Sequence, residues 1–553
     1  MTWRSAADAL ADRVAVLLIL TVCAGVSLDI IARWAGVPIT GGSLFAGWAL
    51  IWLAMVSAAS AVPHGAGLRH HASLAIIGFA LGTLGAGLAS AAWQIGGVEP
   101  VLGLPVAWRF GGAAAALGLA VISTIMRTST GAMALTLGAA LSFAPPATSS
   151  WVAVAVFGVA MVLRVPVAFA LVAAVAAAPG PLSDAAMAQT VLRGLGPAVL
   201  LAIPLFILAG ALMVAGGIGE GLVSVAGWLS RRRATAAGEA NVVTSLLFGG
   251  VSGSGIADAA LGARLLVPPM VRAGYRPADA AALTATSAIL PNLMPPSIAL
   301  LLAAAATDQS VGRLWLAGIG AAAVTVAALW LVVRARAPAT PRPPEAPERP
   351  DLSALLPPLV IAGCVVGGLR GGWVTATEAG LLAVLLAAGY AVHRRGLRPL
   401  WSFTRDAALQ AGRVALLIGV AAPVSFLLAT SGISWSALLP SGPTPLVMAS
   451  AAALALLAGT VLDVGAAILL LLPILLPACT LAGADPVQAT LVLVSALLIG
   501  GVTPPVGILV LTVKDITGIT GVFRAAWPYI LALVAALAAL IAVPPFTTIP
   551  SRL

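Results

Sequence analysis

The chain has 553 residues, of which 61% are hydrophobic and only 8% are charged. This composition excludes a soluble globular enzyme and indicates an all-α polytopic membrane protein, because about 20 consecutive apolar residues suffice for one helical span. The formal net charge of +10 comes from short clusters of basic residues between apolar runs. Such clusters are typical of topology signals, so we expect the lipid bilayer, and no nucleic acid, as a partner.

The first predicted domain comprises residues 1–128. It contains four apolar runs of helix length, near 13–32, 43–62, 73–95 and 110–126. The positive-inside rule places the flanking Arg4, Arg69 and Arg127 in the cytoplasm. These runs therefore predict a four-helix domain with both ends inside, and residues 129–150 are expected to connect it to the rest of the chain.

Residues 151–553 are predicted to form a permease domain of two repeats. Each repeat has a re-entrant hairpin and then a broken helix, at 240–270 and 278–305 in the first and at 443–485 and 487–513 in the second. Basic residues flank the first hairpin, whereas none flanks the second. The two hairpins should therefore enter from opposite sides, which predicts the inverted repeats of a secondary transporter.

The four interruptions in these helices are candidate ion sites. Broken helices expose carbonyl oxygens to a cation, and the N-termini of half-helices favour anions. Side chains with oxygen atoms occur at all four places, and the candidate cation ligands are Ser252, Ser254, Asn292, Ser297, Thr460, Asp463 and Thr503. Each hydroxyl could instead bond back to its own helix.

Acidic residues near these interruptions have competing interpretations. A carboxylate at membrane depth costs about 2.5–3.5 kcal/mol on insertion scales, so Asp258 and Asp463 are functional candidates. Asp258 could also cap the second helix of its hairpin, since a glycine- and serine-rich tip precedes it. Asp463 is expected at a sodium site, and Glu378 is expected to cap a helix.

Intramembrane protease chemistry is the main alternative from another functional class. The sequence Gly250-Val251-Ser252-Gly253 fits a GxSG motif. A serine nucleophile needs a base within hydrogen-bond reach, yet all four histidines lie in predicted polar loops. An aspartyl intramembrane protease would be expected to carry a GxGD motif, and none occurs at Asp258 or Asp463. We therefore expect no enzymatic activity.

Five motifs along residues 151–553 resemble the large membrane subunit of the tripartite ATP-independent periplasmic (TRAP) transporters. In family order they are PLFILAGALMVAGGI (204–218), GGVSGSGIADAALGARLLVPPMVRAGY (249–275), GGWVTATEAG (371–380), LPILLPACTLAGADP (472–486) and GGVTPPVG (500–507). Residues 1–127 resemble the family's four-helix small subunit through DIIARW (29–34) and LRHHASL (68–74). The chain thus resembles a fusion of the two subunits.

The resemblance implies sodium-driven uptake of an organic anion, usually a carboxylate, across the bacterial inner membrane. A separate periplasmic binding protein would deliver the substrate, and the hairpins and broken helices would move as an elevator. Family sodium sites lie in the regions of the seven candidate ligands, with Na⁺ as coupling ion and no cofactor. We expect substrate contacts at Ser252, Gly253, Asp258, Pro296 and Pro505.

Two departures from the family pattern affect the first sodium site. Gly255 stands where alanine is usual, and ILPNLMPPS (289–297) replaces a glycine-rich approach to the Pro-Pro-Ser sequence. The alternative within the same fold is a stand-alone ion-coupled carboxylate transporter without a binding protein. Residues 1–127 argue against it, because such a transporter has no evident need of an extra four-helix domain.

Overall fold

The computed structural model describes most of the chain. It covers residues 3–34, 41–58, 68–94, 107–127, 150–163, 165–177, 184–230, 235–249, 255–338, 356–397, 400–430 and 439–552. These residues contain no strand, and eight of their helices are long and apolar enough to cross a membrane. The prediction of an all-α polytopic membrane protein is therefore confirmed. The predicted connector at 129–150 lies outside the described residues except for Ser150.

The described residues form helices throughout. Those before residue 275 are α1 Trp3–Trp34, α2 Gly41–Ser57, α3 Leu68–Gln94, α4 Ala107–Arg127, α5 Ser150–Val162, α6 Val167–Ala177, α7 Asp184–Gly194, α8 Ala202–Ala215, α9 Ile218–Ser230, α10 Ala236–Phe248, α11 Gly255–Leu265 and α12 Val267–Arg272. Those after it are α13 Pro277–Ser287, α14 Ile298–Thr307, α15 Val311–Ala335, α16 Leu356–Arg370, α17 Ala376–Arg395, α18 Leu400–Thr430, α19 Thr444–Gly459, α20 Val464–Leu481, α21 Pro486–Gly500, α22 Ile508–Thr517, α23 Val522–Ala542 and α24 Pro545–Arg552. Short 3₁₀ helices occur at Ala198–Leu201 and Leu290–Asn292.

The first of two compact units comprises residues 1–204 and 404–433. In it α1 packs on α2 and α4, and α3 packs on α4, α6 and α7. An ion pair between Arg405 and Asp12, with a distance of 3.7 Å, ties α18 to α1. This unit joins the predicted four-helix domain to helices from the predicted permease domain, and the origin of residues 1–128 as a fused small subunit stays a prediction.

The second unit comprises residues 205–403 and 434–553 and contains both predicted hairpins and both broken helices. The first hairpin falls on α10 and α11, and the first broken helix on α13 and α14. The second hairpin falls on α19 and α20, and the second broken helix on α21 and α22. The Pro295-Pro296 and Pro504-Pro505 bonds in the two breaks are cis.

In this unit, helices next to the breaks pack on helices of the other repeat. The second hairpin helix of the first repeat, α11, packs on α22, which follows the break of the second repeat. Reciprocally, α20 packs on α14, which follows the break of the first repeat. All four of these helices begin at an interruption. Their N-terminal ends therefore lie where the sequence predicts the ion sites.

Local sequence explains where several helices begin. The Thr375 hydroxyl accepts from the Glu378 amide, and the Glu378 carboxylate accepts from the Thr375 amide at 2.8 Å. This reciprocal capping box satisfies two N–H groups at the start of α17, so the prediction that Glu378 caps a helix is confirmed.

The prediction that all histidines lie in loops is wrong: His70 and His71 are in the first turn of α3, and His393 is in the last turn of α17.

Candidate functional site

The first hairpin meets the first break through two glycines. A Cβ atom added at Gly249, at the end of α10, would lie 2.5 Å from Met294 Cβ. One added at Gly255, the first residue of α11, would lie 3.0 Å from Asn292 Nδ2 and 3.5 Å from Leu509 Cδ2. The hairpin therefore lies directly against the first break and against the start of α22.

Asn292 and Ser297 are both buried at the first break. The Ser297 hydroxyl donates to the Asn292 carbonyl and accepts from the Leu300 amide at 3.1 Å, so it caps α14. The backbone carbonyl of Ser297 accepts from Trp315 Nε1 at 3.2 Å. Since a hydroxyl oxygen has two lone pairs, the capping role leaves one for a cation.

The candidates of the second repeat lie at the second hairpin tip and the second break. Thr460 is buried, and its hydroxyl donates to the Leu457 carbonyl at 2.7 Å. The Thr503 hydroxyl donates to the Ile499 carbonyl, also at 2.7 Å. The alternative of back-bonding is thus realised at both residues. It uses the hydroxyl proton and leaves the oxygen lone pairs as potential ligands.

The two aspartates lie at the starts of the second helices of the two hairpins. Asp463 is exposed and is the N-cap of α20, where its Oδ2 accepts from the Gly465 amide at 3.0 Å. Asp258 is buried in the first turn of α11, three residues after Gly255, so it is not the N-cap residue of that helix. Negative charge at either position is favoured by the positive end of the helix.

Of the remaining candidates, the structure describes the two prolines but not the three residues of the first hairpin tip. Pro296 is buried beside Ser297, whereas Pro505 is exposed at the second break. The tip residues Ser252, Gly253 and Ser254 lie outside the described residues. The structure therefore groups Asn292, Ser297 and Pro296 at one break and Thr503 and Pro505 at the other.

A buried hydrogen-bond network holds α10 to α13, and the sequence-based prediction missed it. Asn241 Nδ2 donates to Thr284 Oγ1 at 2.7 Å, and Asn241 Oδ1 accepts from Ser287 Oγ at 2.9 Å. The Ser287 and Ser245 hydroxyls lie 2.8 Å apart. All four side chains are buried. A usable signal was present, because 241 and 245 share one helix face and 284 and 287 share another.

Polar contacts continue at the start of α10. The Thr235 hydroxyl donates to buried Glu239 at 2.8 Å, and Arg334 Nε lies 3.7 Å from the same carboxylate. Burial raises the pKa of Tyr275 to about 12. Its hydroxyl therefore stays protonated at neutral pH and donates to the Thr235 carbonyl at 3.3 Å.

In the second repeat, the corresponding helices α19 and α21 meet through glycines. A Cβ added at Gly500 would lie 2.6 Å from the Gly459 carbonyl carbon, and one added at Gly459 would lie 3.0 Å from Leu497 Cα. Both neighbours are backbone atoms, which cannot rotate away. The second hairpin therefore lies against its broken helix because these two positions lack side chains.

Residues 154–546 match the family model described as "Tripartite ATP-independent periplasmic transporter, DctM component". The 2,3-diketo-L-gulonate TRAP transporter large permease protein YiaN of Escherichia coli is 30% identical over 66% of this chain and 89% of its own length. The C4-dicarboxylate TRAP transporter large permease protein DctM of Pseudomonas aeruginosa is 30% identical over 60% and 82%. The sialic acid TRAP transporter large permease protein SiaM of Vibrio cholerae is 30% identical over 65% and 88%.

Proposed function

We propose that this chain, which belongs to the tripartite ATP-independent periplasmic transporter family as a large permease, couples the import of an organic carboxylate to a sodium gradient. Membership makes it an inner-membrane secondary transporter of organic acids that works with a periplasmic substrate-binding protein, and not an enzyme. Sodium coupling, the carboxylate class and the elevator motion are the proposed refinements.

The observation that carries the proposal is the meeting of two helix N-termini from different repeats. Gly255, the first residue of α11, lies against Leu509, the second residue of α22. Helix N-termini carry partial positive charge, so two of them together favour an anion. A substrate carboxylate at this position would contact both repeats.

Sodium would bind beside the carboxylate, at the tips and breaks. The side-chain and carbonyl oxygens of Asn292 and Ser297 at one break, and the hydroxyl of Thr503 at the other, are hard neutral ligands suited to a monovalent cation. The Asp258 and Asp463 carboxylates add negative charge near their own hairpin tips. Binding of the cation and the anion would then be mutually favourable, which is the basis of coupling.

The elevator proposal rests on the division of helices within the second unit. The hairpins and broken helices contact one another across the repeats, as α11 does with α22 and α14 with α20. A group of helices joined in this way can move together. We propose that they form the moving part, and that the small-subunit-like helices at 1–128 belong to the fixed scaffold.

A transport assay tests the function. Proteoliposomes containing the full chain would be supplied with the purified binding protein and labelled substrate, with an inward gradient of sodium or of potassium. We expect uptake only with sodium and the binding protein together. Equal uptake with and without the binding protein would favour the stand-alone transporter, and equal uptake in potassium would contradict sodium coupling.

Asp463→Asn isolates the charge in this assay, because asparagine is also a good N-cap residue. We expect about a tenfold loss of sodium-dependent uptake, equivalent to about 1.4 kcal/mol. The matched control is Asp485→Asn, since Asp485 likewise caps a helix by accepting from Val487 and Gln488 amides, both at 3.0 Å. Normal sodium dependence in Asp463→Asn, or the same loss in Asp485→Asn, would refute the sodium role of Asp463.

Cysteine labelling tests the motion separately. Single cysteines at Ser254 and Thr460, in a chain whose three native cysteines are replaced, would be labelled from both sides of the membrane. Because the hairpins are predicted to enter from opposite sides, sodium and substrate should change the two labelling rates in opposite senses. Unchanged rates at both positions would indicate that the hairpins do not move.

A further inference from the structure

Helix α15 packs back against the first break at two points. A Cβ atom added at Gly318 would overlap the Leu293 carbonyl oxygen, so the helix and the break touch through their backbones there. Trp315 precedes Gly318 by three residues and therefore shares its helix face. Its indole N–H donates to the Ser297 carbonyl at 3.2 Å. These two contacts lie on either side of the Pro-Pro pair, so α15 holds the break at both ends.

The Trp315 side chain is fixed by its surroundings. It is only 1% exposed, and its ring packs edge-on against Phe206 of α8, with ring centroids 5.6 Å apart. The Ser297 carbonyl that it contacts also accepts from the Leu301 amide at 3.1 Å, which is an ordinary bond within α14. The indole N–H therefore adds a second bond from a different helix. The backbone of Ser297 is held by α14 and by α15 together.

The residue held in this way belongs to the candidate sodium site. The Ser297 hydroxyl donates to the Asn292 carbonyl and accepts from the Leu300 amide. A chain of hydrogen bonds therefore runs from Trp315 through Ser297 to Asn292. Residues that hydrogen-bond to the ligands of a cation orient them before the cation arrives, which raises affinity. Trp315 occupies such a position behind two candidate ligands.

The equivalent contact in the second repeat has no hydrogen bond of this kind. Helix α23 follows the second break as α15 follows the first. Phe523 in its first turn lies against Gly507, where an added Cβ would be 2.8 Å from Phe523 Cε1. A phenyl ring has no N–H group, so this contact is made by packing. Of the two contacts, only the one at Asn292 and Ser297 includes a donated bond.

We propose that Trp315 is a positioning residue for sodium at the first break. Its indole N–H holds Ser297, and through it Asn292, in the orientation that the cation needs. The indole nitrogen itself cannot be a ligand, because it is a donor only. This role rests on the proposed sodium coupling, so its test includes a measurement on the wild-type protein that can fail separately.

Sodium binding to the purified full chain, measured with radioactive sodium on immobilised protein, tests this role. Trp315→Phe keeps an aromatic ring against Phe206 and removes the N–H. It should raise the half-saturating sodium concentration about threefold, and at most by the roughly tenfold that one net hydrogen bond represents. In proteoliposomes the half-maximal sodium concentration should rise equally, while the uptake rate at saturating sodium stays near that of wild type.

Trp330→Phe is the matched control. Trp330 lies on the same helix, and its buried indole N–H has no acceptor among the described residues. This variant should bind sodium as wild type does. If Trp315 were merely structural, Trp315→Phe would lower the melting temperature and leave sodium half-saturation unchanged, and that result would overturn the proposal. An equal rise in half-saturation in Trp330→Phe would overturn it as well.

The wild-type measurement separates this inference from the proposed function. No sodium binding by wild type would overturn both the sodium site and the role of Trp315. Normal binding by wild type, with no change in Trp315→Phe, would overturn the role of Trp315 alone. If Trp315→Phe does not fold, Phe206→Leu decides, because it loosens the ring and keeps the N–H. It should raise half-saturation in the same sense by a smaller factor, and no rise would refute the proposal.

Discussion

In the two repeats of the second unit, the first helix of the hairpin contacts the first half of the broken helix by different means. In the first repeat, α10 and α13 are joined by the buried hydrogen bonds of Asn241 with Thr284 and Ser287. In the second, α19 and α21 approach closely at Gly459 and Gly500. A repeated helix arrangement therefore does not require repeated interface chemistry. The first interface depends on the polar identity of its side chains, and the second depends on their absence.

The largest effect is expected at the glycine interface. Gly500→Val would place side-chain atoms against the backbone of Gly459 and force α19 and α21 apart. Overpacking of this kind costs about 1–3 kcal/mol, and we expect the upper end because the obstructing atoms are backbone. The measurement is the melting temperature and the monodisperse fraction of the purified protein.

Gly389→Val is the matched control for this substitution. Gly389 is also inside a helix, but a Cβ added there has no atom within 4 Å. The control should keep its stability or gain slightly, because valine has a somewhat higher helix propensity than glycine. Equal melting temperatures for the two variants would show that the close contact does not stabilise the second repeat.

A smaller effect is expected at the polar interface. Asn241→Leu keeps the approximate volume but removes the bonds to Thr284 and Ser287. Hydrogen bonds between membrane helices contribute about 0.6 kcal/mol each on average, so the loss should be about 1–2 kcal/mol, measured by reversible unfolding in mixed detergent.

Thr325→Val provides the comparison for the polar interface. Thr325 is buried on α15, and its hydroxyl donates to the Ala321 carbonyl within the same helix. This variant should lose less than Asn241→Leu, because no contact between helices is removed. A loss as large as that of Asn241→Leu would mean that the network adds nothing beyond ordinary helix bonding.

The smallest effect on stability, with a specific effect on sodium, is expected at Gly255. Gly255→Ala places a methyl group 3.0 Å from Asn292 Nδ2. Asn292 must shift by a few tenths of an ångström, so we expect about a twofold change in the sodium concentration for half-maximal uptake. Gly363→Ala, on α16, where an added Cβ has no atom within 4 Å, should leave that concentration unchanged. Identical sodium dependence in both variants would separate Asn292 from the sodium site.

Part of the site was predictable from local sequence. Glycine-rich segments and Pro-Pro pairs disfavour a continuous helix, so the sequence located the interruptions around Asn292, Thr460 and Thr503. The role of Glu378 followed in the same way, since a capping box is made within four residues. Asp463 is the N-cap of α20, and its place at a sodium site stays a prediction.

The sequence by itself determined the helical class, the membrane setting, the interruptions and the family. Each of these depends on composition or on residues close together in the chain. Only the tertiary structure decided that Asn241 pairs with Thr284 and Ser287 and that Gly459 meets Gly500. These features join residues about 40 or more positions apart, and in an almost uniformly apolar chain the hydropathy pattern does not specify which helix faces meet.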